Sequence, residues 1–372
     1  EPRLVRETAS QYLDRHSHVA ALREIRDNTE ATGFAPDLCE RMAEEGWASN
    51  ILTEEYGGLD VGFMGLGVIM EEAGLSLTAS PLFASAVVGA SAILLGGNDQ
   101  QKQALLPAIA TGELTLALAL EESHHHRPSR ISTLAVRDGD SIVINGSKTF
   151  VLDGHCADKV LLVTRSEGEE RTEDGLTLFL VDREHPGISV ERTIMVDSRN
   201  AANIRCENLR LGKDAVVGEI GNAWPVLDAV LDRGRVALAA EMMGLALEAF
   251  ERTVAYIKER EQFGAKIGSF HALQHRAAIM QADIELCRSV LLQALTAVDE
   301  TPEQLPMLAS LAKTRLNELV LLVTNEAVQM HGGIGVTDEL DIGFFLKRAR
   351  VAIQVFGDSG FHRDRYATLC GY

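Results

Sequence analysis

The chain has 372 residues, of which 46% are hydrophobic but only 5% aromatic, and its formal net charge is −19. That length predicts two or three domains, and the aliphatic composition favours packed helices over an all-β design. The acidity argues against a nucleic-acid or anionic-membrane surface, so a phosphorylated ligand has to be met by local positive charge.

Five scattered cysteines (Cys39, Cys156, Cys206, Cys287 and Cys370) form no CxxC pair. They read as reduced thiols of a cytoplasmic protein, not as a disulfide or zinc framework. The charged start, Glu1-Pro-Arg-Leu-Val-Arg-Glu7, has no apolar signal region, and no run approaches the roughly 18 apolar residues that span a bilayer.

Residues 1–112 read as helices and short loops. Asp37 to Gly46 has helical spacing and a glycine stop. Glu54-Glu-Tyr-Gly-Gly58 is a turn, Leu66 to Met70 begin an apolar helix, and Asp99 is placed to cap a helix over Gln100 to Ile109. Between 113 and 220 the runs become short and β-rich: Leu114–Leu120, Ser141–Ile144, Lys159–Thr164 and Leu176–Val181. Asp138-Gly-Asp140 and Pro186-Gly187 read as turns, and Asn145-Gly146 as a hairpin, which predicts a compact antiparallel β domain. From 221 to 372 the period is helical again. One helix runs from near Trp224 to Arg260. A second, from near Phe270, carries Leu273, Ile279, Ile284 and Leu291. A third has apolar residues at Leu305, Leu308, Ala312, Leu316, Leu319, Val323 and Ala327, and the last begins near Phe344. Together they predict an antiparallel four-helix bundle.

Two segments of the bundle carry chemistry. Arg260-Glu-Gln-Phe-Gly264 and Gln329-Met-His-Gly-Gly-Ile-Gly335 each set a helix end beside glycines, and the first adds a cation. Exposed backbone, open space and positive charge suit a phosphate-bearing ligand across a bundle. The plain alternatives are an arginine complementing a helix dipole and a glycine C-cap. Ser123-His-His-His-Arg-Pro-Ser129 has no second ligand cluster, so it reads as an exposed loop or weak anion site, with no metal expected.

In these pieces the chain resembles the acyl-CoA dehydrogenase family over nearly its full length. The matching segments are Glu54-Glu-Tyr-Gly-Gly58, Leu106-Pro-Ala-Ile-Ala-Thr-Gly-Glu113, Asn145-Gly-Ser-Lys148, Arg260–Gly264 with Ile267-Gly-Ser-Phe270, and Gln329-Met-His-Gly-Gly333. The resemblance implies an α+β fold with an N-terminal helical domain (1–112), a middle antiparallel β domain (113–220) and a C-terminal four-helix bundle (221–372), assembled as a homo- or hetero-tetramer. It implies FAD as cofactor and an acyl-CoA substrate entering between β domain and bundle. A carboxylate takes the α proton, and the β hydrogen leaves as hydride to the flavin. An electron-transfer flavoprotein-like acceptor is one option for the electrons.

By the same resemblance Arg260, Phe263, Gln329, Gly332 and Gly333 serve the FAD of a neighbouring subunit. Phe150 lies near the flavin ring, and the loop after Glu122 surrounds it. The chain departs from the pattern at three points. Leu152 replaces a small hydroxyl residue that bonds to the flavin. Gly357 and Gly234 stand at the two positions where relatives place the glutamate base. Two carboxylates are candidate substitutes. Asp358 is displaced by one residue. Glu241 lies two turns beyond Gly234 on an apolar stripe with Leu238 and Leu245, where burial raises a carboxyl pKa; the other reading of Glu241 is an ion pair inside the bundle. Two functions follow: a complete dehydrogenase using Glu241 or Asp358, or a non-catalytic partner in a mixed α2β2 tetramer that completes another subunit's FAD site. A fold relative with other flavin chemistry, such as an oxygenase, is the remaining option.

Overall fold

The computed structural model describes residues 2–28 and 31–372. Glu1, at the head of the predicted first domain, and the side chain of Cys39 lie outside what is described. Helices come first: α1 (Pro2–His16), α2 (Val19–Asn28), α3 (Pro36–Glu44), α4 (Gly62–Leu75), a π-helical stretch over Leu82–Gly89, α5 (Ala90–Gly96) and α6 (Asp99–Ala110). Eight strands follow: β1 (Leu116–Ala119), β2 (Leu134–Asp138), β3 (Ser141–Leu152), β4 (Lys159–Arg165), β5 (Leu176–Asp182), β6 (Ile188–Ile194), β7 (Asn200–Leu211) and β8 (Val216–Val217). The chain returns to helix with α7 (Trp224–Glu259). A small hairpin of β9 (Glu261–Gln262) and β10 (Ala265–Lys266) leads to α8 (His271–Glu300), α9 (Leu305–His331), α10 (Ile342–Ala352) and α11 (Ser359–Leu369). The helical, β, helical order is the predicted α+β plan.

The chain divides into two compact units, one of residues 25–62 and 79–234, the other of 1–24, 63–78 and 235–372. The first unit holds the sheet, with strand order β6-β7-β3-β2-β4-β5-β8 and β1 added alongside β4. Its pairings are antiparallel apart from β1 with β4 and one β2–β4 pair. Ile144, Val160, Leu162, Phe179 and Ile204 fill its core. The hairpin expected at Asn145-Gly146 is not there. Strand β3 runs through both residues, and the reversal lies at Gly139, where Asp138 pairs with Ser141. Gly146 instead marks a register shift against β7, its backbone pressed so close to Thr133 that a Cβ would sit 2.5 Å from the hydroxyl oxygen. The cap of α6 is also one residue earlier than expected. The Asn98 side chain accepts from the Gln101 amide at 2.9 Å, and the Gln101 side chain accepts from the Asn98 amide at 3.1 Å, so Asp99 is already helical.

The second unit is helical. Every predicted apolar position of α9 is buried. Helices α4 and α7 meet backbone to backbone: a Cβ on Gly74 would overlap the Glu241 carbonyl oxygen, and one on Gly244 would overlap that of Glu71. Only glycine permits that approach, which fixes where α7 presents Glu241. Two expectations need correction. The last helix is broken into α10 and α11 by residues 353–358. Ile279 of α8, expected in the buried stripe, is 59% exposed, and Leu286 is exposed as well.

Candidate active site and cofactor edge

The ends of α7 and α9 lie together. The Tyr256 ring stacks on His331 at 4.4 Å, and its hydroxyl donates to the His331 carbonyl at 3.3 Å. His331 is itself held by a 2.7 Å contact from Nδ1 to the Ala327 carbonyl, so its Nδ1 carries the proton. One turn beyond Tyr256, Arg260 is exposed and makes no ion pair among the described residues. Phe263 is 92% exposed, with φ +55, and meets Phe270 edge-on at 6.3 Å. Gly332 has φ +67, and neither it nor Gly333 or Gly264 has an atom within 4 Å of where a Cβ would stand. Gln329 is exposed beside them. The structure thus brings five of the predicted site residues to one edge that combines a cation, an aromatic face and bare backbone.

The turn between α10 and α11 is fixed from all sides. Lys313 is wholly buried, and its ammonium donates to Asn317 Oδ1 at 2.8 Å and to the carbonyls of Ala352 at 3.1 Å and Gly357 at 3.2 Å. Burial, then the nearby Arg235, pushes its pKa well below the usual lysine range, while Asp358 acts the other way. The Phe356 carbonyl accepts from Arg235 Nε at 3.3 Å and from His362 Nε2 at 3.0 Å. Lys313 and Asn317 escaped the sequence reading. Their signal was present: two polar residues four apart, bordering the apolar stripe of α9.

This turn holds no carboxylate aimed at a reacting atom. Gly357 adopts φ +112, and a Cβ there would lie 2.6 Å from Phe361 Cδ1 and 2.8 Å from His362 Nε2. Asp358 is the N-cap of α11, accepting from the Phe361 amide at 2.8 Å. Glu241 is 1% exposed, and its two oxygens accept from Arg348 Nε at 2.8 Å and Nη2 at 2.9 Å. Each of the two candidate bases therefore already has a structural task. The partner of Glu241 lay in the basic Lys347–Arg350 segment, 107 residues away.

In the β unit, Phe150 sits in a register shift of β3 with φ +53, half-buried, two residues from Leu152. The Thr149 amide donates to the Glu121 carbonyl at 2.8 Å, so the end of β1 lies beside this stretch. The loop that follows folds back: His126 Nδ1 meets Glu121 Oε1 at 2.5 Å, their side chains 4% and 13% exposed. Next to it, Glu122 takes Lys148 Nζ at 2.6 Å, the Ser132 and Thr133 amides, and the Thr133 hydroxyl. Burial raises the Glu122 pKa, but Lys148 and these donors outweigh it and leave the group below the usual carboxylate range. A depressed carboxyl stabilises the fold above its unfolded pKa, and that contribution is lost as pH falls through the folded value. Stability should accordingly drop on acidification, and Glu122→Gln should flatten this acid limb while costing about 3–5 kcal/mol at neutral pH by stranding buried Lys148. Urea unfolding at a series of pH values checks both; an unchanged acid limb in the variant would exclude Glu122 as its source.

Among the described residues no group of three or more His, Cys, Asp or Glu side chains is placed to hold a metal ion, and no helix is long and apolar enough to cross a membrane. Cys156, Cys206, Cys287 and Cys370 are free thiols.

Residues 1–113, 118–209 and 221–368 match, in turn, the N-terminal, middle and C-terminal domains of acyl-CoA dehydrogenases. A cyclohex-1-ene-1-carbonyl-CoA dehydrogenase of Syntrophus aciditrophicus is 30% identical over 88% of this chain and 80% of its own. The chain belongs to the acyl-CoA dehydrogenase family. A 3-(aryl)acrylate reductase of Clostridium sporogenes is 28% identical over 94% of this chain and 92% of its own. The solved structure of a variant of the steroid ACAD Tcur3481-Tcur3483 superposes with a TM-score of 0.89 at 30% identity, covering 100% of this chain and 97% of its own. The family's members are oxidoreductases acting on CH–CH groups, and their cofactor is FAD.

The two segments that the resemblance assigns to that cofactor differ in their chemistry. The Arg260 edge sets a cation beside unobstructed glycine backbone, which is open to a diphosphate, with Arg260 offsetting the carbonyl ends that α7 and α9 present there. Where the resemblance would seat the ring, in the β unit, the side chains present are poorly matched to it. A flavin ring presents mainly acceptors (two carbonyl oxygens, N1 and N5), yet the Leu152 side chain offers no donor and the Glu121 side chain is itself an acceptor, in contact with His126.

Proposed function

We propose that this chain is the base-less subunit of a mixed acyl-CoA dehydrogenase. Its Arg260, Phe263, Gln329, Gly332 and Gly333 complete the FAD site of a second chain of the same family, which supplies the ring seat and the catalytic carboxylate. The assembly forms the Cα–Cβ double bond of an acyl-CoA thioester, for which FAD supplies the hydride acceptor. One observation carries this reading: where relatives place the base, Gly357 has no side chain, and its neighbours leave no room for one. Glu241 and Asp358 are structural, by their pairing with Arg348 and with the α11 amide.

Further support comes from the outer face of α8, where Ile279 and Leu286, one heptad apart, stay exposed along with Phe263. With Leu292 also exposed further along α8, these residues make an apolar row that a second chain would cover. The likeness to a steroid ACAD at 30% identity favours a bulky acyl group as the substrate class. An acceptor of the electron-transfer flavoprotein type fits the family.

Expressed alone, the chain is expected to purify colourless and to show no acyl-CoA-dependent flavin bleaching. Co-purified with a flavin-bearing chain of the family it should form a yellow, active assembly. Arg260→Ala in this chain should then weaken FAD retention by roughly ten- to a hundredfold, the size of a lost charge-assisted hydrogen bond. A yellow chain, active on its own, overturns the proposal.

A further inference from the structure

We propose that Glu121 and His126 form a plug that keeps flavin out of this chain's own ring seat, so that the seat is closed by construction and not merely short of one hydroxyl. The inference rests on the reading that FAD is held by a second chain, and it identifies what enforces the division of labour.

Three features build the plug. The first is placement. Glu121 ends the run from β1, and its carbonyl takes the Thr149 amide at 2.8 Å, which sets its backbone beside Thr149, the residue before Phe150 and three before Leu152. The second is volume. The imidazole of His126 stands in a loop that needs small residues to leave room for a planar ring. It is drawn inward until its side chain is 4% exposed, unlike the exposed His124 and His125. The third is charge-assisted hydrogen bonding: the 2.5 Å contact to Glu121 Oε1 pins the imidazole. Behind the pair, Glu122 is fixed by buried Lys148 and by three bonds from Ser132 and Thr133. Arg165 then ties down the following loop through the carbonyls of Ser129 at 2.8 Å and Ile131 at 3.1 Å. A loop anchored at both ends cannot swing aside to admit a ring.

A carboxylate at this place also opposes the chemistry of the ring. A flavin takes on negative charge when reduced, and the Leu152 side chain would offer it no donor. The imidazole would occupy room that a ring needs, and the unbalanced acceptor set would disfavour its reduced form.

The test uses FMN, which carries the ring without the adenylate and so reports on the ring seat independently of the Arg260 edge, and FAD beside it. The full-length chain is expected to bind neither in equilibrium dialysis. His126→Gly and the double variant Glu121→Thr/His126→Gly should bind FMN at least about tenfold more tightly, as an opened cavity takes a complementary ligand. His126→Ser serves as the reserve should the glycine variants unfold by circular dichroism. A wild-type chain that binds FMN stoichiometrically overturns the plug, as does a set of folded variants binding no better than wild type. If the wild-type chain is colourless and needs a second chain for activity while the variants gain nothing, the plug fails and the mixed assembly stands. If the variants gain flavin but no second chain confers activity, the plug stands and the assembly fails.

Discussion

Glu241→Gln is expected to cost about 3–5 kcal/mol of stability, because it leaves the Arg348 guanidinium buried without its counter-charge. It should do so while leaving flavin reduction in the mixed assembly within about twofold of wild type at a temperature where the variant is folded. A lost general base would instead lower the rate by roughly 10²–10⁴. The geometry decides between these. Both carboxylate oxygens are bonded to one guanidinium, at 2.8 and 2.9 Å, with Leu238 and Leu245 wholly buried on either side. A base needs an oxygen that can reach an incoming carbon acid, and a proton placed on this group would dissolve the pair.

The double variant Glu241→Leu/Arg348→Met sharpens the test. Replacing both members of a buried pair with apolar residues of similar volume is often neutral or stabilising, so most of the loss should be recovered. Urea unfolding gives the stability terms, and acyl-CoA titration followed in the flavin band gives the chemistry. A stable double variant that no longer reduces flavin would restore Glu241 as the base.

What the sequence made legible and what it concealed separate along physical lines. Periodicity located α7, α8 and α9, because burying one face of a helix is a local pattern with a period of 3.6; the stripe from Leu305 to Ala327 is buried throughout. The same pattern misplaced Ile279, since an apolar residue left on the surface reads in sequence like one facing the core. Asn145-Gly146 has the composition of a turn, but the approach of Thr133 to Gly146 gives that glycine another purpose, and no local rule registers a contact across a sheet. The site shows the same division. The absent carboxylates at Gly234 and Gly357 and the missing hydroxyl at Leu152 could be read directly. That Glu241 already belongs to Arg348, that Asp358 caps α11, and that His126 folds onto Glu121 are long-range or conformational facts. Three phenylalanines at or beside predicted site positions, Phe150, Phe263 and Phe356, hold left-handed backbone with φ between +53 and +56. A bulky residue there stores strain, of about 1–3 kcal/mol, and no periodicity reports it.

Restoring a glutamate is expected to fail, for want of a flavin in this chain and for want of room in its backbone, and the stability cost is what reports the second. Gly357→Glu should leave the isolated chain, supplied with FAD and an acyl-CoA, without flavin bleaching, and should destabilise it by about 2–6 kcal/mol from left-handed strain together with overpacking. At φ +112 the new Cβ would meet Phe361 Cδ1 at 2.6 Å and His362 Nε2 at 2.8 Å. Neither neighbour can give way cheaply. The Phe361 ring lies 5.5 Å from the Arg235 guanidinium, and the buried His362 ring is tied to the Phe356 carbonyl. Turning the peptide to relieve the clash would break the bonds from Lys313 and Asn317 to the Gly357 carbonyl, leaving the buried Lys313 amine short of a partner. Gly357→Ala should therefore lose nearly as much stability as Gly357→Glu, which places the cost at the Cβ and not at the carboxylate. Phe361→Ala combined with Gly357→Ala should show a favourable coupling, since the second cavity relieves the first clash. Thermal melts of five proteins (wild type, Gly357→Glu, Gly357→Ala, Phe361→Ala and the double variant) measure this, and a Gly357→Glu chain that bleaches flavin with acyl-CoA would show that the turn is a working active site lacking only its base.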